Sequence, residues 1–321
     1  MITTTVGSYP KVAEGAYSTT LIGAITKWQR KELSDAQLEA TYRGITKAVI
    51  HEQEQAGLDL LTDGQIRWED LVTPVAKRLD GFEIEGLARW FDNNTYYRRP
   101  ILRSKPVRKR PLVVDEYRFA KGCTRRPVKA VLPGPYTFAS MSEDRYFKAQ
   151  RPFVLAMAEI LNQEARALAE AGAPLVQFDE PAVGFGKPNM KLAVEALNVA
   201  TRGLDVETAV YTYFGSLDGA LEPLLRAKVD LVGIDVVSDP RALGALKKVK
   251  MTRRLGLGCL DARNTKLESV AELHALFDVV RKVVPQDQLY INPNCGLEFL
   301  PFEQASEKLK RLVEAVRTYE A

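Results

Sequence analysis

The sequence predicts an α/β fold, a (β/α)8 TIM barrel with a long excursion after its second strand. Three observations predict it. Short apolar runs that end in polar loops recur along the chain, and amphipathic helical segments separate them. Strand–helix alternation of this kind implies a parallel sheet. Nothing resembling G-x-G-x-x-G follows the first strand, which disfavours an open dinucleotide-binding sheet.

Eight strands are expected, at residues 3–7, 58–62, 128–132, 174–178, 208–213, 230–234, 255–260 and 289–291. The later ones lack clean polar–apolar alternation, as strands covered on both faces do. Between them, residues 152–171 place Phe153, Met157, Ile160, Leu161 and Leu168 on one stripe, and Gly172 supplies a stop. Residues 269–284 and 302–316 read as helices of the same kind, and a long helix ends near Gly57. The stretch from about Trp68 to Arg126 is too long for a simple connection. It holds Trp90-Phe91-Asp92-Asn93-Asn94-Thr95-Tyr96-Tyr97 and the basic run Arg103 to Arg110. It is expected to be a partly structured excursion over the barrel mouth, with the basic run a solvated face.

At 321 residues, with 46% hydrophobic and 27% charged residues, the chain suits one globular domain spanning residues 1–321. No apolar run approaches the roughly 18 residues of a membrane span. The N-terminus has neither a basic n-region nor an apolar h-region, so no signal peptide is expected, and together with the cysteine pattern this makes a cytoplasmic location the expectation. Three scattered cysteines, Cys123, Cys259 and Cys295, argue against a disulfide framework. A net charge of +4 is too mild for nucleic acid and suits an anionic small molecule.

Active groups of such barrels gather at the strand C-termini. Here those ends read Gly7-Ser8-Tyr9-Pro10, Asp63-Gly64-Gln65, Pro133-Gly134-Pro135-Tyr136-Thr137, Asp179-Glu180-Pro181, Tyr213-Phe214-Gly215-Ser216, Asp235, Asp261-Ala262-Arg263-Asn264 and Asn292-Pro293-Asn294-Cys295-Gly296. Carboxylates, amides and loop N–H groups suit an amino-acid ligand. Asp179 and Glu180 read as an anionic pair at the mouth or as a helix cap. Cys295 reads as a thiolate ligand for a soft metal or as a small buried residue. Cys259 reads as core. The two histidines, His51 and His274, lie on helices, so neither a short-spaced His/Cys zinc site nor a Ser-His-Asp triad is at hand.

These loops resemble the cobalamin-independent methionine synthase family over nearly the whole chain. The resemblance rests on Thr3-Thr4-Thr5-Val6-Gly7-Ser8-Tyr9-Pro10, Ala56-Gly57-Leu58-Asp59 with Asp63-Gly64-Gln65, Gly134-Pro135-Tyr136-Thr137, Val176-Gln177-Phe178-Asp179-Glu180-Pro181-Ala182 and Asn292-Pro293-Asn294-Cys295-Gly296-Leu297. The chain is similar to single-barrel members. Residues 89–97, 212–216 and 260–264 resemble the non-catalytic barrel of the long enzymes; residues 5–8 and 292–297 resemble the catalytic one.

The resemblance implies a methyltransferase that moves a methyl group to a homocysteine-like thiol, with zinc turning that thiol into the nucleophilic thiolate. Its metal ligands are His, Cys, Glu and a second Cys. Cys295 matches the last, Asp235 stands at the glutamate, and the strand over residues 208–213 has neither His nor Cys. The zinc site is thus degenerate, and zinc is expected to bind weakly or not at all. For substrate binding the resemblance implies Ser8 and Asp179 at the amino-acid end, with Gln65 where the family often has glutamate. The implied partners are an amino acid, a methyl donor such as a folate, methylcobalamin or a corrinoid protein, and a partner protein. No nucleic acid or membrane is expected. Two alternatives stand beside this: a non-catalytic barrel that binds an amino acid, donor or partner, and a different reaction in the same pocket.

Overall fold

The computed structural model describes residues 1–11, 21–89, 91, 96–239 and 241–319. Its strands are β1 (Ile2–Thr3), β2 (Asp80–Arg89), β3 (Tyr96–Val107), β4 (Ala130–Pro133), β5 (Glu143–Asp144), β6 (Leu175–Asp179), β7 (Glu207–Tyr211), β8 (Leu231–Asp235), β9 (Arg254–Leu260) and β10 (Leu289–Pro293). Seven of them form one curled, wholly parallel sheet of order β1-β10-β9-β8-β7-β6-β4, as in a TIM-like barrel. Helices Gln150–Glu170, Met190–Ala200, Val270–Val280 and Phe302–Arg317 each bury an apolar stripe. Strands β4, β6, β8 and β10 are buried along their whole length, which accounts for their unbroken apolar character.

Residues 58–62 form no regular strand. They contribute two single parallel bridges, Thr4 to Leu60 and Leu61 to Val128, which link β1 to the start of β4. The reason lies in the helix Asp35–Ala56. Its Gln53 donates to the Thr62 carbonyl (2.9 Å) and accepts from the Thr62 N–H (3.0 Å), the groups a sheet ladder would use. The Thr62 hydroxyl in turn donates to the Gly7 carbonyl at 2.8 Å. The first strand is likewise shorter than residues 3–7.

Between Leu61 and Val128, β2 and β3 pair antiparallel, and β5 joins β3 in parallel to make a separate three-stranded sheet. Trp90 and Asp92 to Thr95 lie outside the described residues. The basic run is the largely solvated face its charge suggests, with Arg103, Lys105, Lys109 and Arg110 exposed, and Arg108 is its exception. Arg103 pairs across the hairpin with Glu83 and Glu85. Arg108 reaches the fully buried Glu164 at 2.7 Å, which also accepts from the N–H groups of Leu112 and Val113. A buried carboxylate needs such partners, and they fasten the end of the hairpin to the helix Gln150–Glu170.

The interior of the curled sheet is partly polar. The Tyr211 ring from β7 lies across β8 and β9, and a β-carbon at Gly233 or Gly256 would collide with it. Lys129 sits with its amino group 4.9 Å from the centre of that ring. Among the described residues no helix is long and apolar enough to cross a membrane.

Candidate active site at the strand ends

Because the seven strands are parallel, their last residues share one edge, and Asp179 of β6 and Asp235 of β8 both lie there. Asp179 is 2% exposed. Gln177 Nε2 donates to its Oδ1 at 2.6 Å, and the Tyr213 hydroxyl donates to its Oδ2 at 3.0 Å. Gln177 accepts in turn from Lys129 Nζ at 2.7 Å and donates to the Val6 carbonyl. Lys129, Gln177 and Asp179 all face inward because they sit at alternate positions or in register on paired strands: Val131 pairs with Gln177, and Pro133 with Asp179. Burial pushes the Asp179 carboxyl up to about 7 against the opposing pull of Gln177, Tyr213 and Lys129. Burial brings the Lys129 ammonium down to about 7, and Asp179 opposes that shift. The Tyr213 phenol is raised well above its ordinary range, first by burial and then by Asp179, so it remains a neutral donor.

The neighbouring Glu180 turns away from this network. It accepts from the N–H groups of Tyr136 (2.9 Å) and Thr137 (2.7 Å) at the start of the helix Pro135–Ser140. Glu180 thus caps a helix that precedes it in the chain rather than the next one, which the sequence offered as the alternative to an anionic pair.

Beside Tyr213 opens a small cleft of about 80 Å³, lined among others by Ser8, Lys11, Gln65, Tyr213, Phe214 and Glu298. Ser8 donates its hydroxyl to the Glu298 carboxylate. Gln65 is 6% exposed, and its Nε2 has no hydrogen-bond partner among the described residues. Both Gln65 (φ +48°) and Phe214 (φ +73°) hold left-handed backbone conformations that non-glycine residues rarely adopt. Strain of this kind gathers where a site is held ready for a ligand.

The structure sets Ser8 and Gln65 in the lining of this cleft, while Asp179 stands outside that lining, bonded to the Tyr213 that lines it. Asp235 and Cys295 lie to one side. All of Asp235's capacity is engaged: Oδ1 accepts from the N–H groups of Val237 and Ser238, and Oδ2 from the N–H of Phe214 and the amide of Asn294. Cys295 is fully buried, and its thiol is pushed well above the ordinary range by burial, then by Glu298 and Asp235. Three residues were not singled out by the sequence. Lys129 had a readable signal, a lone lysine inside an apolar strand; Tyr213 and Glu298 had none beyond their place at strand ends.

A parallel sheet with an acidic, strained cleft over its strand C-termini defines an α/β-barrel enzyme that takes a small ligand there. The description of the cobalamin-independent synthase catalytic domain matches residues 1–318. Methionine synthase of Sulfurisphaera tokodaii is 32% identical over 317 residues, covering 98% of this chain and 91% of the relative. That of Saccharolobus solfataricus is 31% identical, covering 98% and 93%. Among solved structures, a B12-independent methionine synthase from a Shewanella species, in complex with selenomethionine, superposes with a TM-score of 0.84 at 23% identity, covering 98% of this chain and 96% of that one. The chain belongs to the cobalamin-independent methionine synthase family, and the match is to its catalytic domain.

The residues at the zinc positions do not fit that metal. Asp235 is saturated by four donors, the strand over residues 208–213 offers neither His nor Cys, and no group of three or more His, Cys, Asp or Glu that could hold a metal occurs among the described residues.

Proposed function

We propose that this chain is a methionine synthase-like methyltransferase that transfers a methyl group to a homocysteine-like thiol. The observation that carries the reading is the cleft that sets Ser8 and Gln65 against Tyr213, itself bonded to Asp179. Membership of the family over the whole chain supports it. In this reading Asp179 receives the substrate ammonium. A carboxylate has about four lone-pair sites, and Gln177 and Tyr213 occupy two of Asp179's. Ser8 and Gln65 hold the amino-acid end from the opposite loops. Lys129 and Gln177 fix the orientation of Asp179 before substrate arrives. No step is assigned to zinc.

The same reading takes residues 1–321 as one domain. Residues 60–61 complete an eight-stranded (β/α)8 barrel, and the stretch from about 68 to 126 is an excursion over its mouth. A cytoplasmic enzyme of this kind takes its methyl group from a folate or a corrinoid, the latter delivered by a partner protein.

Asp179→Asn tests the substrate anchor, because it keeps the shape and removes the charge. A charge-assisted hydrogen bond contributes about 1.5–3 kcal/mol, so methionine or homocysteine binding should weaken about ten- to a hundredfold. Calorimetric titration measures this, with a thermal melt as control. Unchanged affinity with a lowered melting temperature would make Asp179 structural. Failure of the wild type to bind either amino acid would remove the whole assignment.

A further inference from the structure

Glu298 follows β10 in the loop that carries Cys295, and it lines the cleft together with Ser8 and Gln65. Three features set it apart. First, the backbone is shaped to admit it. A β-carbon at Gly296 would collide with both the Ser8 hydroxyl and the Glu298 carboxylate, so this glycine lets the two meet. The Leu297 N–H also donates to the Ser8 carbonyl at 2.9 Å, clamping the first and last strand-end loops together. Second, the cleft is acidic: one lysine, Lys11, lines it together with Glu69, Asp70 and Glu298, and the Lys11 amino group donates to the Trp68 carbonyl. Third, Gln65, where the family often has glutamate, is more than nine-tenths buried and leaves Nε2 without a partner among the described residues. A buried donor without an acceptor costs free energy unless a ligand meets it.

Taken together, the cleft offers a carboxylate at residue 298 and an unpartnered amide donor at residue 65. Resting on the methyltransferase reading, we propose that Glu298 is a specificity-determining residue that binds the ammonium of the amino-acid substrate together with Asp179, while Gln65 Nε2 donates to the substrate carboxylate. The ammonium then lies toward the last strand rather than the second. Ser8, bonded to Glu298, orients that carboxylate. The unpartnered Gln65 donor and the acidic lining are answered by the same zwitterionic ligand, since its anionic end meets the one and its cationic end the other.

The experiment titrates full-length protein with methionine and with its des-amino analogue, in wild type, Glu298→Gln, and the reciprocal swap Gln65→Glu/Glu298→Gln. Glu298→Gln keeps an acceptor for Ser8 and should preserve the thermal melt. It should weaken methionine about tenfold and leave the des-amino analogue unaffected. The swap should weaken methionine further, because it removes the Gln65 donor and sets a carboxylate against the substrate carboxylate. Equal binding of methionine to Glu298→Gln and wild type would overturn the proposal while the methyltransferase reading stands. Equal weakening of both ligands would overturn it too, making Glu298 a loop clamp. No methionine binding by the wild type would instead bring down the functional assignment beneath it.

Discussion

Asp179 and Asp235 end strands β6 and β8, which flank β7 on the same edge of the sheet, and both are 2% exposed. Their partners differ. Asp235 accepts from three backbone N–H groups and one amide, and so ties the loop at Phe214 to its own loop and to Asn294. Asp179 accepts from two side chains, Gln177 and Tyr213. A carboxylate saturated by backbone donors holds a fold in place, because each donor would otherwise be a buried unpaired group. One held at two sites by side chains is oriented yet keeps capacity for a ligand. Two carboxylates that look alike in sequence thus do different work.

The sharpest way to break this contrast is to remove the Asp235 carboxylate. Asp235→Ala strips the acceptor from three backbone N–H groups and should cost about 2–5 kcal/mol of stability, read by urea unfolding. Wild-type stability in that variant would return Asp235 to the pool of ligand groups.

A second measurement sharpens the Asp179 side through pH. With burial raising its carboxyl to about 7 from an unfolded value of 3.8, Asp179 contributes stability in full below pH 3.8 and loses it as pH rises through 7. An ammonium ligand needs the ionised form, so methionine affinity should rise between pH 6 and 8, by at most about tenfold per unit. Lys129 opposes the Asp179 shift. Lys129→Met should therefore move the rise in affinity to higher pH, while the buried apolar chain keeps the fold intact. Identical pH profiles in the two proteins would disconnect Lys129 from Asp179.

The smallest effect is expected from Tyr213→Phe. It deletes one hydrogen bond to Asp179, worth about 1 kcal/mol, and should weaken methionine about fivefold by titration. A loss as large as that of Asp179→Asn would mean that Tyr213 itself contacts the ligand.

Much of the fold was legible. The apolar stripe at Phe153, Met157, Ile160, Leu161 and Leu168 is a local signal, and the helix Gln150–Glu170 follows it. The second strand was not, because Gln53 takes the backbone groups of Thr62 from another element. The fate of Arg108 within the exposed basic run was hidden for a similar reason: charge alone does not reveal that it will meet a carboxylate 56 residues away.

The sequence alone determined which chemistry stands at the strand ends, since short apolar runs must be buried and the polar residues after them must emerge at one edge of a parallel sheet. It thereby placed Ser8, Gln65, Asp179, Asp235 and Cys295 on the loops in question. Only the tertiary structure decided their partners. Ser8 and Glu298 are 290 residues apart, and Asn294 and Asp235 are 59 apart. Such pairs form only when the curled sheet brings first, middle and last strands together, and it is the pairing that separates a saturated carboxylate from one with room for a substrate.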